Sequence, residues 1–378
     1  MDKIGLFYKN GIVLDKIACF DLDYTLISTK SGNILPISFN DWKPLYNNIS
    51  QKLNEYINKG YHIVIFTNQK KLTKETVIDF SKKIENIMLY YDVPTNNYSY
   101  YISYTNNGYR KPMTGMYDEL NKFINRNGLS IKDGFYCGDA GGRVYLLNKK
   151  EKEKGKGKRD FSITDYYFAK NTGLEYKYPE EIFNQKMDKF YIDDPYNRFI
   201  EKIWNYKQER FPLSTFKEFN NSNEKKMIIM VGCPASGKTK IANIILNKYK
   251  NKNYTYLNKD LHKNKFDKLL SSCQDNMIID NTNPSLETRQ KYYNQCENYK
   301  KLIFYFDYPK ELCMHLNNYR TQKKIIYDKI PDLVYNIYFK KLDIPLITET
   351  NNLTIITIKP EMIIPLIKSK EFYYYYDI

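Results

Sequence analysis

Six apolar runs of strand length punctuate the chain: KIACFDLD, YHIVIFTNQ and GFYCGDA in the first half, KKMIIMVG, NMIIDNTN and KLIFYFDY in the second. Each is followed by polar residues and a helix-like stretch. A strand covered on both faces by crossover helices reads as an unbroken apolar run, so this alternation predicts βαβ units around parallel sheets. Both halves are expected to be α/β, with mainly parallel sheets. In such sheets functional residues sit just past the carboxyl ends of the strands. The runs here end in carboxylates, hydroxyls or glycines.

The chain has 378 residues, and at roughly 150 residues per domain that predicts two domains. From Phe211 to Lys226, FPLSTFKEFNNSNEKK loses periodicity and turns polar before a new strand begins. A boundary there gives one domain over 1–215 and a second over 225–378. The stretch Asn148 to Asp160, NKKEKEKGKGKRD, is Lys-rich, broken by glycine and unable to bury a face. It is expected to be an exposed loop, either a solvated tether or a contact for phosphate.

Lys and Arg outnumber Asp and Glu by 59 to 43, a net charge of +16. That balance suits an anionic partner such as nucleic acid, although an AT-rich coding sequence would enrich Lys, Asn, Ile and Tyr by itself. The six cysteines show no CxxC spacing, so free thiols in a reducing compartment are expected, without a zinc site. His62, His262 and His315 are too scattered for a metal cluster. The start, MDKIGLFYKNGIVLDK, has charges scattered through it, and no segment reaches about 18 uninterrupted apolar residues. A soluble, intracellular protein with no membrane partner is expected.

In CFDLDYTLI, Asp21 and Asp23 stand two apart at a strand end, which aims both carboxylates at one spot. Their mutual repulsion calls for a divalent cation with oxygen ligands, Mg2+. Asp21 can then attack phosphorus to form an aspartyl-phosphate, and Asp23 can protonate the leaving alcohol and later activate water. Thr67 in VIFTNQ offers a hydroxyl for the phosphoryl oxygens. Lys111 in YRKPMTG offers a fixed positive charge, and Asp139 in CGDAGGR a further metal ligand. The four motifs in this order resemble those of haloacid-dehalogenase-like phosphatases. Tyr24 departs from the glycine usual after the second aspartate, which bears on the local turn and on substrate access.

The second half carries GCPASGKT, comprising Gly232, Cys233, Pro234, Ala235, Ser236, Gly237, Lys238 and Thr239. It fits G-x-x-x-x-G-K-[ST] between a strand and an amphipathic run. Backbone N–H groups of this turn wrap a phosphate chain, Lys238 reaches the β and γ phosphates of ATP, and Thr239 ligates Mg2+. A kinase also needs a base and a cation over the transferring group. Asp260 in YLNKDLHK is the candidate base and Arg320 in HLNNYRTQ the candidate clamp. Asp280 in MIIDNTNP is placed to assist the metal or the acceptor hydroxyl.

Taken together, FDLDYTLISTKSG, DWKPLY, IVIFTNQ, YRKPMTGM, GDAGGR, RDFSITDYYFAKNTG, GCPASGKT, LNKD, IDNTNP and HLNNYR resemble the bifunctional polynucleotide kinase 3′-phosphatases of DNA end repair. The resemblance implies two Rossmann-like domains, a haloacid-dehalogenase-like phosphatase followed by a P-loop kinase. It implies removal of a 3′-phosphate and ATP-dependent phosphorylation of a 5′-hydroxyl on DNA, with a DNA ligase as the natural successor. It also implies that Asp21, Asp23, Thr67, Lys111 and Asp139 serve the phosphatase, and Lys238, Thr239, Asp260 and Arg320 the kinase. Asn281 and Arg289, in IDNTNPSLETR, become substrate-side candidates. Lys259 stands where animal members have arginine, and with so short a stretch before the first motif their phosphopeptide-binding module is not expected. Two alternatives remain: an RNA end-healing enzyme, and a nucleic-acid-binding scaffold with degenerate sites.

Overall fold

The computed structural model describes residues 2–3, 5–146, 159–323, 328–367 and 369–376. The Lys-rich stretch expected to form an exposed loop lies outside the described residues up to position 158. Contacts divide the chain into two units. The first comprises Met1–Ile200, Asn318–Lys329 and Tyr373–Ile378; the second comprises Glu201–Asn317 and Ile330–Phe372.

The first unit is built on strands β1 (Asp2–Lys3), β2 (Leu6–Lys9), β3 (Lys16–Phe20), β6 (His62–Asn68), β7 (Tyr98–Ser103), β8 (Asp133–Cys137) and β10 (Glu175–Lys177). They form a 7-stranded sheet in the order β1-β2-β7-β6-β3-β8-β10. The strands from β7 to β10 run parallel, and β1 and β2 add an antiparallel edge. Two ribbons accompany the sheet: β4 (Ile27–Ser28) with β5 (Lys43–Pro44), and β9 (Arg143–Tyr145) with β11 (Phe190–Ile192). Side chains alternate along β3, sending Ala18 and Phe20 into one apolar cluster and Ile17 and Cys19 into the other. Both faces are covered, which is why the run reads as continuously apolar.

The second unit holds β12 (Lys226–Val231), β13 (Tyr254–Leu257), β14 (Asn276–Asp280), β15 (Lys300–Phe306) and β16 (Leu353–Ile358). This 5-stranded sheet is parallel throughout, in the order β13-β14-β12-β15-β16. Ile229 in the middle of β12 pairs with Ile279 on one side and Ile303 on the other. Both units are therefore α/β with mainly parallel sheets, as the alternation of runs predicts.

Three features differ from expectation. The stretch read as a polar boundary contains a helix, Leu213–Asn221, that buries Phe216 and Phe219. Phe211 and Phe216 both pack on Phe304 of β15, so residues 201–215 cluster with the second unit. Residues 318–329 cluster with the first unit, where Gln322 Nε2 donates to Thr114 Oγ1 at 2.7 Å. Lastly, Cys233 and Cys313 form a disulfide, while Cys19, Cys137, Cys273 and Cys296 are free. The two partners are 80 residues apart in sequence. They meet because β12 and β15 are neighbours: Cys233 follows β12 directly in the P-loop, and Cys313 sits at the start of the helix Lys310–Lys323 that follows β15. Spacing alone carries no sign of that encounter.

Candidate active sites

At the carboxyl end of the first sheet, β3 stops at Phe20, and Asp21 follows with its N–H donated to the Cys137 carbonyl at 2.8 Å. Lys111 is held in place by Asn68 at the end of β6: the Lys111 N–H donates to Asn68 Oδ1 at 2.9 Å, and Asn68 Nδ2 donates to the Lys111 carbonyl at 3.1 Å. Its buried ammonium donates to Asp21 Oδ1 at 2.6 Å, Asp165 Oδ1 at 2.7 Å and the Tyr136 hydroxyl at 2.7 Å. Tyr136 in turn donates to Asp165 at 2.8 Å. Thr67, also buried, is the last residue but one of β6, and its Oγ1 accepts from Gln69 Nε2 at 2.9 Å.

Asp21, Asp139 and Asp165 each bring a carboxylate oxygen within 4.8 Å of the others. Burial pushes the Asp21 carboxyl up to about 7 against the pull of Lys111, with Asp165 and Asp23 adding to the rise. Asp139 is also driven well above the usual carboxylate range, first by burial and then by Asp165 and Asp21. Three convergent, poorly solvated carboxylates fit a divalent cation with oxygen ligands.

Asp23 is not part of this triad. Its carboxylate accepts from Gln69 Nε2 at 2.6 Å, because the strand has already ended and Tyr24 turns the chain at φ +58°. The strand-period argument for joint metal ligation by Asp21 and Asp23 therefore does not carry over to the loop they occupy. Asp165, on the helix Thr164–Thr172, was not singled out from the sequence. The available signal was positional: Asp165 shares a buried helix face with Phe168 and Ala169 at i+3 and i+4. A Cβ at Gly138 would lie 2.4 Å from Asp165 Oδ2, so only glycine before Asp139 lets the two acidic segments approach.

In the second unit β12 leads into the P-loop, and the helix Lys238–Lys248 starts after Gly237, whose φ is +95°. A Cβ at Gly232 would meet the Phe306 side chain and Ser236 Oγ, both at 2.8 Å. Lys238 is buried, and its ammonium donates to the Cys233 carbonyl at 2.6 Å. Burial lowers it to about 8, with Asp280 opposing. Thr239 Oγ1 and the Tyr256 hydroxyl both donate to Asp280 Oδ2, at 2.6 and 2.7 Å. Tyr256 was not anticipated. Asn258 caps the short helix Lys259–His262, accepting from the Leu261 N–H, and its amide bonds the Asp280 carbonyl. The Lys259 N–H donates to Asn281 Oδ1 at 2.8 Å. Thus Thr239, Asp280, Asn281 and the segment bearing exposed Asp260 form one connected group.

Two candidates fall elsewhere. Arg289 is fully buried. Its Nε donates to Glu349 Oε2 at 2.9 Å, its Nη2 pairs with Glu349 Oε1, and its Nη1 donates to the carbonyls of Asn283 and Pro284 at 3.2 and 3.0 Å. It braces the loop after β14 and offers no surface to a substrate. Arg320 is half-buried on the helix Lys310–Lys323, in the stretch whose contacts group it with the first unit instead of the P-loop's own. His62 bonds Ser99 Oγ at 2.7 Å and His315 bonds the Phe372 carbonyl, both buried, in core roles. Among the described residues no helix is long and apolar enough to cross a membrane.

Comparison with known proteins points the same way as these two sites. Residues 16–183 match the model of the polynucleotide kinase 3 phosphatase family, and residues 213–285 match that of zeta toxin. A bifunctional polynucleotide phosphatase/kinase of Schizosaccharomyces pombe is 26% identical over 88% of this chain and 77% of its own length. The polynucleotide 3′-phosphatase of Saccharomyces cerevisiae is 30% identical over 44% of this chain and 87% of its own. A protein of Acanthamoeba polyphaga mimivirus, provisionally given the same bifunctional designation, is 31% identical over 89% of this chain and 85% of its own length. With a phosphatase-type carboxylate site in one unit, a P-loop in the other and this likeness over both, the chain belongs to the family of bifunctional polynucleotide phosphatase/kinases.

Proposed function

We propose that this protein heals broken DNA strands, removing a 3′-phosphate with its first unit and phosphorylating a 5′-hydroxyl from ATP with its second. The observation that carries the reading is the pair of sites itself: a buried Asp21–Lys111–Asp165 group, and a P-loop whose Thr239 meets Asp280.

In the phosphatase, Thr67 and Lys111 orient the phosphoryl oxygens. The Asp21 carboxylate attacks phosphorus, and a bond to the 3′-oxygen breaks as Asp23 delivers a proton to it. Gln69 fixes Asp23 for that transfer, since one amide nitrogen touches both Asp23 and Thr67. Asp23, now a carboxylate, then takes a proton from the water that hydrolyses the aspartyl-phosphate. Asp21, Asp139 and Asp165 would hold Mg2+, which when bound supplies positive charge against the meeting of carboxylate and phosphate.

In the kinase, Lys238 leaves the Cys233 carbonyl for the β and γ phosphates of ATP, wrapped by the P-loop N–H groups. Thr239, braced by Asp280, would ligate the Mg2+ that accompanies the nucleotide. Asp260 accepts the proton of the attacking 5′-hydroxyl, and Asn281 orients that end through its tie to Lys259. A ligase would consume both products.

The test gives purified protein ATP, Mg2+ and a nicked DNA bearing 3′-phosphate and 5′-hydroxyl ends, with a matched RNA, and follows each terminus separately. Conversion of both DNA termini supports the proposal. Preference for RNA would move the substrate class, and inert termini would refute it.

A further inference from the structure

Immediately after Asp23, this chain places a tyrosine in left-handed backbone, φ +58°. Glycine takes that conformation without a steric penalty, whereas a side chain with a Cβ does not. An outlier beside a catalytic residue asks what its side chain returns. Here the Tyr24 hydroxyl donates to the Ile34 carbonyl at 2.7 Å and lies 3.3 Å from that of Asn33. The Tyr24 N–H, meanwhile, closes the turn on the Ile27 carbonyl at 2.7 Å.

The residues it reaches form the tip of the loop between β4 and β5. Thr29 Oγ1 also donates to the Asn33 carbonyl, at 2.6 Å. On the far side Asp41 accepts from the Ser31 N–H, the Ser31 hydroxyl and the Ile37 N–H at 2.8, 2.7 and 3.0 Å. So held, the loop exposes Ile34 by 76%, Leu35 by 58% and Ile37 by 74%. Three large apolar side chains are thus kept in water on a segment fastened to the residue next to Asp23. The phosphoryl group itself has no use for such a surface. The apolar body behind it, the terminal nucleoside, does.

We propose that Tyr24 is a specificity-determining residue: its hydroxyl latches the loop 29–41 beside the phosphatase carboxylates, so that the site favours a phosphate carried on a polynucleotide 3′ end over a small phosphomonoester. The inference rests on the phosphatase reading above and deepens it. Tyr24 acts on the loop and takes no part in bond making.

The test compares wild type, Tyr24→Phe and Tyr24→Gly on a 3′-phosphorylated oligonucleotide and on p-nitrophenyl phosphate. Circular dichroism and a thermal melt of the same preparations report that each variant is folded. Loss of a latching hydrogen bond should lower the ratio of kcat/KM for oligonucleotide over aryl phosphate by about five- to tenfold in both variants, chiefly through KM. An unchanged ratio in Tyr24→Phe overturns the latch. Equal losses on both substrates also overturn it, because Tyr24 then supports only the turn at Asp23. A wild-type enzyme that cleaves the aryl phosphate but no oligonucleotide refutes the phosphatase reading itself, an outcome distinct from either.

Discussion

The ion pair between Arg289 and Glu349 gives a sharp quantitative expectation. Arg289 is fully buried and the Glu349 side chain is 5% exposed. The guanidinium spends two of its nitrogens on the carboxylate and the third on the carbonyls of Asn283 and Pro284. Glu349→Ala leaves those carbonyl bonds but strands a buried cation, a change that typically costs about 3–5 kcal/mol. At 1.4 kcal/mol per tenfold, the folding equilibrium of the second unit should shift by about 10²–10⁴. A urea slope of about 1–3 kcal/mol/M turns this into a midpoint lowered by about 1–5 M. The assay is a urea titration followed by kinase and phosphatase activity on one preparation. The kinase midpoint should fall and the phosphatase midpoint should hold, because the pair lies in the second unit. Replacing both partners with apolar residues, Arg289→Met with Glu349→Leu, should recover most of the loss, since no charge is then left without a partner. A kinase midpoint that moves by less than about 0.3 M in Glu349→Ala would refute the reasoning, since about 3 kcal/mol cannot hide in so small a shift.

Further expectations concern the sites directly. Asp21→Asn should abolish 3′-phosphatase activity and spare the kinase, and Lys238→Ala should do the reverse; loss of both activities in either variant, with circular dichroism unchanged, would contradict independent sites. Asp165→Asn should raise the Mg2+ concentration for half-maximal phosphatase by about tenfold or more, the scale on which groups supporting a metal act, and an unaltered Mg2+ titration would remove Asp165 from the ligand set. Asp260→Asn should slow kinase turnover by about 10²–10⁴, the usual worth of a general base, so a near-normal rate would end that assignment. The Asp41 carboxyl is lowered to about 2, first by the Ile37 N–H and then by Ser31. Its folded value lies below the ordinary one of about 3.9, so its hold on the loop is complete above that pH and is lost as pH falls towards 2. Protection of residues 31–39 from hydrogen exchange should follow that window, and protection lost already at pH 5 would count against it.

Much of the layout of the candidate sites was legible in the sequence because it is written at strand ends. Asp21, Thr67, Lys111 and Asp139 come from four separate segments, and a parallel sheet gathers such positions at one edge. The P-loop is legible for a related reason, its eight contiguous residues being dictated by the shape of a phosphate chain. What escaped depends on partners distant in sequence. Asp165 looks like one acid among many until its helix is seen to turn that residue inward. Arg289, in a polar run of helix, reads as a surface or substrate-facing cation, and only Glu349, 60 residues on, makes it a buried brace. The Cys233–Cys313 bond required knowing that β12 and β15 are neighbours. Periodicity failed between Phe211 and Lys226 because two phenylalanines, Phe216 and Phe219, among polar residues are enough to bury one face of a short helix.

One feature of the first site sets the terms on which a substrate enters. An ammonium has three hydrogens, and those of Lys111 are already given to Asp21, Asp165 and Tyr136. An incoming phosphate therefore meets a cation with no idle donor and can bind it only by exchange. If Asp21 is the nucleophile proposed above, it is the natural one to yield, its oxygen turning towards phosphorus while Asp165 and Tyr136 keep their grip on the nitrogen. In the mechanism proposed above, arrival of the anion and release of Asp21 from its counter-charge would then be a single event, with the attacking oxygen freed only when there is something to attack.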